Sequence, residues 1–270
     1  MKKYVRFILE KNKPILKYYC FDWDDNILIM PTKIHMERED NGVWIPVDVS
    51  TEEFAKIRKL DNWRAPDNAF SEFRDNGPRG SKAFMEDVKY AIQNKQFGPS
   101  WNKFIECIIK GSLFAIITAR AHEPDTIRKA VEWIIWNILN EKEKTEMGAN
   151  LTAFQDLFTP DYDIMRQSSF KTLVSNYLDK CDFVGISSDS FINKYKNGSA
   201  MTPEKSKILA LSNFINKVKS YSKLINGETR IGFSDDDISN VKNIKKYFGE
   251  ISPLYKDITF SVYDASPKKE

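Results

Sequence analysis

Cysteine and histidine are scarce in this sequence of 270 residues. The three cysteines, Cys20, Cys107 and Cys181, are odd in number and far apart, which fits neither a disulfide framework nor a zinc site; they read as small core hydrophobes in a reducing compartment. With only His35 and His122 present, a poly-histidine metal site is excluded and a histidine-dependent triad has few candidates. No apolar run approaches the ~18 residues that a membrane span needs. The opening MKKYVRFILEKNK has an apolar segment too short, and too broken by Arg6, for a signal peptide. An excess of one charge is missing too: 41 Lys and Arg against 38 Asp and Glu leave +3, little for a protein built mainly to coat nucleic acid. These absences suggest a cytoplasmic protein with no membrane partner. At 41% apolar, the chain can build one full core and a small second one.

What is present is a series of short apolar runs rich in Ile, Val, Phe and Tyr: ILKYYCFDW (15–23), SLFAIITA (112–119), CDFVGIS (181–187), TRIGFS (229–234) and DITFSVYD (257–264). Their nearly continuous apolar character predicts strands covered on both faces. Between them lie helical patterns, among them 122–143 with Pro124 in its first turn and 202–220 opened by a Thr cap and a Pro. The alternation predicts an α/β class with a doubly wound, mainly parallel, Rossmann-like sheet. About 80 residues separate the first two strands, more than a crossover requires. That interval therefore reads as a small α+β insertion over 31–98, splitting a core of 1–30 and 99–270. Within it, TKIHMEREDNGVWIPVDV predicts two strands around an Asn-Gly turn, TEEFAKIRKL and SKAFMEDVKYAIQNK predict helices, and GPSWNKFIECIIKG leads back to the second core strand. NGPRGSK (76–82) has the wrong spacing for a phosphate loop and reads as a turn with Ser81 capping the next helix.

Three core strands end in polar residues: Asp22 and Asp24, then Thr118, then Ser234 followed by Asp235, Asp236 and Asp237. In a doubly wound sheet the carboxyl ends of the strands form the ligand crevice, so these groups can converge across some 200 positions. Alternation along a strand puts Asp22 and Asp24 on one side and Trp23 on the other. Two carboxylates ~4 Å apart repel by about 4 kcal/mol at an effective dielectric near 20, so clustering several calls for a cation or shifted pKa values. Asp237 reads as a helix-start residue.

FDWDDNI resembles the first signature of the haloacid dehalogenase (HAD) superfamily, a hydrophobic strand followed by Asp-x-Asp. AIITAR, TPEKSKIL and IGFSDDDISNV resemble its other three motifs, in order. The resemblance covers about 190 residues outside the insertion, and the Lys- and Asn-rich composition with FDWDDN is similar to HAD-like proteins of large phages. It implies a HAD core with a cap after the first strand and a Mg²⁺-dependent phosphomonoester hydrolase acting through an aspartyl phosphate. In those terms Asp22 is the nucleophile and Asp24 the acid and base. Thr118, with Ala119 beside it, binds a phosphoryl oxygen, and Lys205 neutralises charge, with Lys194 and Lys207 as lesser candidates. Mg²⁺ is held by Asp22, the backbone carbonyl of Asp24 and an acid of the last motif, Asp236 first and Asp235 second. Asp25 and Asn26 stand where Gly and Thr or Val are frequent, so the turn after the strand is expected to differ.

Arg74, Arg79 and Lys82 of the insertion are candidate contacts to a substrate phosphate. The implied partner is a phosphorylated small molecule. A polynucleotide end phosphatase is the runner-up, on Trp44, Trp63, Arg64, Arg74 and Arg79. The rival from another class is a HAD-like module that holds metal without turnover, which the presence of Asp24 and Lys205 disfavours.

Overall fold

The computed structural model describes residues 15–158, 169–195, 201–225 and 228–266; MKKYVRFILEKNK, read as unsuited to a signal peptide, lies outside them. The runs rich in β-branched and aromatic residues form five strands, β1 (Ile15–Phe21), β5 (Phe114–Thr118), β6 (Asp182–Gly185), β7 (Glu228–Asp235) and β8 (Ile258–Asp264). They pair in the order β6-β5-β1-β7-β8, every pair parallel. Helices flank this sheet, giving a mixed α/β architecture compatible with a Rossmann-like fold. Every residue of β5 is buried, as a strand covered on both faces requires. Because β1 is central and the chain continues first to one side and later to the other, the crevice at a topological switch point opens beside its carboxyl end.

The insertion contributes the remaining strands, β2 (Ile34–Asp40), β3 (Val43–Val49) and the two-residue β4 (Trp63–Arg64), in the order β3-β2-β4. Asn41 and Gly42 join β2 to β3 with φ of 51° and 80°, the left-handed pair that a two-residue hairpin turn needs. Helix α1 (Thr51–Ile57) follows, closed at its start by a capping box between Ser50 and Glu53. A small core of Ile34, Met36, Val49, Ala69 and Phe73 holds this unit together. The next helix, α2 (Ala83–Gln93), instead buries Phe84, Val88, Ala91 and Ile92 in the main core, so the second half of the expected 31–98 segment packs with the main body. Lys82, not Ser81, is the residue before α2, and it makes no side-chain cap.

After α3 (Trp101–Ile109), the single helical pattern expected over 122–143 is two helices. These are α4 (Pro124–Asn137), with Pro124 at its first position, and α5 (Glu141–Phe158). The break is local: the Asn140 side chain accepts from the Glu143 N–H at 3.0 Å and the Glu143 carboxylate accepts from the Asn140 N–H at 2.9 Å. That reciprocal cap starts a new helix where apolar periodicity alone runs through. The remaining helices are α6 (Phe170–Leu178), α7 (Asp189–Tyr195), α8 (Pro203–Ile225) and α9 (Ile238–Ile251). Thr202 caps the start of α8 and Asp237 that of α9, its carboxylate accepting from the Ser239 N–H at 2.8 Å. All three cysteines are buried and free. No described helix is long and apolar enough to cross a membrane.

Candidate active site

The parallel register sets Phe21 beside Ser234 on one side and Ile116 on the other, so the residues just beyond these pairs meet at one end of the sheet. Carboxylate oxygens of Asp22, Asp235 and Asp236 come within 4.8 Å of one another. Asp22 and Asp235 are buried. Lys207, only 4% exposed, projects from the first turns of α8 between them, donating to Asp22 Oδ1 at 3.0 Å and Asp235 Oδ2 at 2.7 Å. The Lys207 ammonium is held well above its ordinary pKa by these two carboxylates, against the opposing effect of burial. Burial pushes Asp22 well above the usual carboxylate range; Lys207 opposes that shift, while Asp235, Asp236 and Asp24 add to it. Asp236 is pushed up to about 8 by burial and by the charge of Asp235. One ammonium thus faces three carboxyl groups in a poorly solvated place, where ionising all three together is costly.

The two acids of the last motif differ in their engagement. Asp235 Oδ2 accepts from Lys207, and Oδ1 accepts from the Asp237 N–H at 2.9 Å and the Asn240 side chain at 3.2 Å. Both oxygens of Asp235 therefore carry protein donors, whereas Asp236 is half-buried and faces the cleft. Three clustered oxygen donors, with no soft ligand among them, fit a hard cation such as Mg²⁺.

Asp24 lines the same cleft, but its carboxylate is clamped by Arg120, whose Nε donates to Oδ2 at 2.8 Å and whose Nη2 donates to Oδ1 at 2.6 Å. This is a bidentate fork. Arg120 is itself 1% exposed, donates to the Thr32 hydroxyl at 2.9 Å, and lies over the ring of Phe73 at 4.4 Å. The Thr32 hydroxyl donates to Asp87 Oδ2 at 2.6 Å, and Asp87 accepts two bonds from Arg79. A line of charged and polar groups therefore runs from Asp24 into the insertion and α2.

Asp25 and Asn26 form the turn after β1. Asp25 adopts φ of 54°, a left-handed conformation that Asp tolerates better than most residues. Its carboxyl is raised to about 6, chiefly by burial. Asn26 is fully buried; its amide donates to the carbonyls of Asp22 at 3.1 Å and Ser234 at 3.0 Å, and its oxygen accepts from Ser100 and Ser234. One side chain thereby ties the ends of β1 and β7 to the start of α3.

The structure brings Asp22, Asp24, Thr118, Ala119, Asp235 and Asp236 to one cleft of about 480 Å³. Thr118 is buried at its floor and its hydroxyl accepts from the Arg120 N–H at 3.3 Å. Four expectations need correction. Lys205 is exposed on α8; two residues on a helix are about 200° apart, so Lys207 points inward and Lys205 outward. Arg79 is taken up by Asp87, Glu72 and Glu86 and does not line the cleft. Lys82 is exposed just before α2 and does not line it either. Trp44, Trp63 and Arg64 stand apart as well: Arg64 stacks on Trp44 at 4.2 Å and pairs with Glu37. Of the insertion's three candidate cations, Arg74 alone reaches the cleft, joined there by Arg58, which pairs with Asp237 at 2.9 Å.

Two residues of the cleft were ranked low or missed in the sequence, Lys207 standing only as a lesser candidate and Arg120 not singled out. Lys207 was findable, because it stands on the buried stripe of α8 with Ala210, Leu211, Phe214 and Val218, where a lysine needs a reason. Arg120 carried no comparable signal; its partner Asp24 is 96 positions away. Comparison with protein-family models, with curated proteins and with solved structures finds no match for this chain.

Proposed function

We propose that the protein is a phosphomonoester hydrolase of the HAD type, dependent on Mg²⁺. The observation that carries the reading is the cluster of buried Asp22 and Asp235 with half-buried Asp236, Lys207 bridging the first two, at the carboxyl ends of adjacent parallel strands. Asp22 would hold the cation with Asp236, and Asp235 would orient Lys207. Bound Mg²⁺ supplies charge neutralisation for the acids and for a phosphate group.

Asp22 attacks phosphorus, forming an aspartyl phosphate as the ester oxygen departs; a water then attacks the same phosphorus and frees the carboxylate. Lys207 offsets charge on nucleophile and phosphoryl oxygens, and the Thr118 hydroxyl binds one of those oxygens. Asp24 handles the two protons, one to the leaving oxygen and one from the attacking water. Since both its oxygens accept from Arg120, one of these contacts must open as the substrate group enters. Arg120 is therefore a positioning residue.

The test is phosphate release from a generic phosphomonoester such as p-nitrophenyl phosphate. Wild type should turn over with Mg²⁺, stop after chelation, and be inhibited by Ca²⁺, a larger ion that takes more ligands and draws in both oxygens of the nucleophile. Asp22→Asn should be inactive while folded. Full activity after chelation, or in Asp22→Asn, would sink the reading.

A further inference from the structure

The insertion's side of the cleft sets apolar rings beside Arg58 and Arg74, where the strand-end side carries the carboxylates. Phe70 is 37% exposed there, and Phe54 is half-buried beside it, their rings edge to face at 5.3 Å. Phe70 in turn meets Phe73 edge to face at 5.9 Å, and Phe73 supports the Arg120 guanidinium. Phe73 belongs to the insertion's small core and Phe54 packs against it, whereas Phe70, which touches both rings, keeps more than a third of its surface exposed. A large apolar side chain turned toward a cleft floored by carboxylates and an ammonium gains less from a sugar or a polyol, which offers it only a small C–H face beside hydroxyls that keep their water. It gains from a flat ring that stacks and needs no polar partner on its faces. At about 480 Å³ the cleft lies in the ~300–1,000 Å³ range that encloses a drug-sized ligand, with room for a ring and a sugar as well as a phosphoryl group. Arg74 stands exposed at the same wall, where a cation adds to stacking and attracts an anionic substrate.

We infer that Phe70, with Phe54 beside it, is a nucleobase platform and that the substrate is the terminal phosphate of a nucleotide. This rests on the phosphatase reading for the fate of the phosphate, but not for the binding of the ring. Free mononucleotides and phosphorylated oligonucleotide ends share this chemistry.

The experiment measures kcat/KM with Mg²⁺ for adenosine monophosphate, an end-phosphorylated oligonucleotide, a hexose phosphate, a phosphotyrosine peptide and acetyl phosphate. The wild type should favour a nucleotide substrate over the hexose phosphate and the peptide, and the ratio of the two nucleotide arms identifies the source. Phe70→Ala should lower nucleotide kcat/KM about tenfold, mainly through KM. Phe70→Tyr should retain most of it, and acetyl phosphate turnover should be unchanged in both variants. Preference for the hexose phosphate or the peptide, or equal losses on nucleotide and acetyl phosphate, would overturn the inference while leaving the phosphatase reading in place. If no substrate is turned over, the phosphatase reading falls by itself. Equilibrium binding to the wild type then decides the platform: adenosine monophosphate held more tightly than the hexose phosphate supports it, and equal affinity overturns it.

Discussion

His122 is fully buried against Phe84, ring centroids 4.7 Å apart, and neither of its ring nitrogens has a hydrogen-bond partner among the described residues. Burial, with the nearby Arg120 charge adding to it, lowers its pKa from 6.5 to about 3. The unfolded chain therefore binds a proton between those values that the folded protein refuses. Stability from this residue is complete above about pH 6.5 and is lost as pH falls toward 3, at up to ~1.4 kcal/mol per pH unit. His122→Phe keeps a ring against Phe84 and removes the titration. Urea midpoints should show the wild type losing ground to the variant as pH drops from 6.5 to 4; parallel curves would contradict the assignment. In sequence, His122 read only as one of two histidines and a remote triad candidate, since burial without a partner is a property of packing. Asp22 and Asp24 were legible for the opposite reason: carboxylates directly behind an apolar strand are anomalous wherever the strand lies.

At the scale of elements, strands were easier to read than helix boundaries. A fully covered strand such as β5 has one composition available to it, whereas the division of α4 from α5 turns on the Asn140 and Glu143 cap. Helical phase decided the most consequential difference, because α8 presents Lys207 to the sheet and Lys205 to solvent. Removing a buried partner leaves charges uncompensated and typically costs 3–5 kcal/mol. Lys207→Met in metal-free protein should thus lose about that much stability and should abolish turnover, leaving Asp22 and Asp235 unneutralised. Lys205→Ala, on an exposed face, should stay within ~0.5 kcal/mol of wild type and keep its activity. Denaturant titration and phosphate release on the pair check this. The reverse ranking would mean that α8 is in the wrong phase.

Across the whole molecule, the sheet brings together groups from the two ends of the chain while the insertion closes one wall of the cleft. Its boundary could not be read from the sequence, because α2 has the same amphipathic pattern whether it packs on the insertion's small core or, as it does, on the main one. Nor could the sequence distinguish the insertion's idle cations from Arg74, since Arg79 is withdrawn only by the carboxylates that fold around it. The account as a whole stands on Asp22 as a nucleophile that accepts a phosphoryl group. That is tested most directly by incubating Asp24→Asn protein with Mg²⁺ and acetyl phosphate labelled in its phosphoryl group, quenching in acid, and mapping the label. Acetyl phosphate has a leaving group that needs no proton, so the first transfer should proceed while hydrolysis of the intermediate slows. The account predicts acid-stable label, released by hydroxylamine, on the peptide that contains Asp22, and none when Asp22→Asn is added. Label on another residue, or label that survives Asp22→Asn, would contradict it.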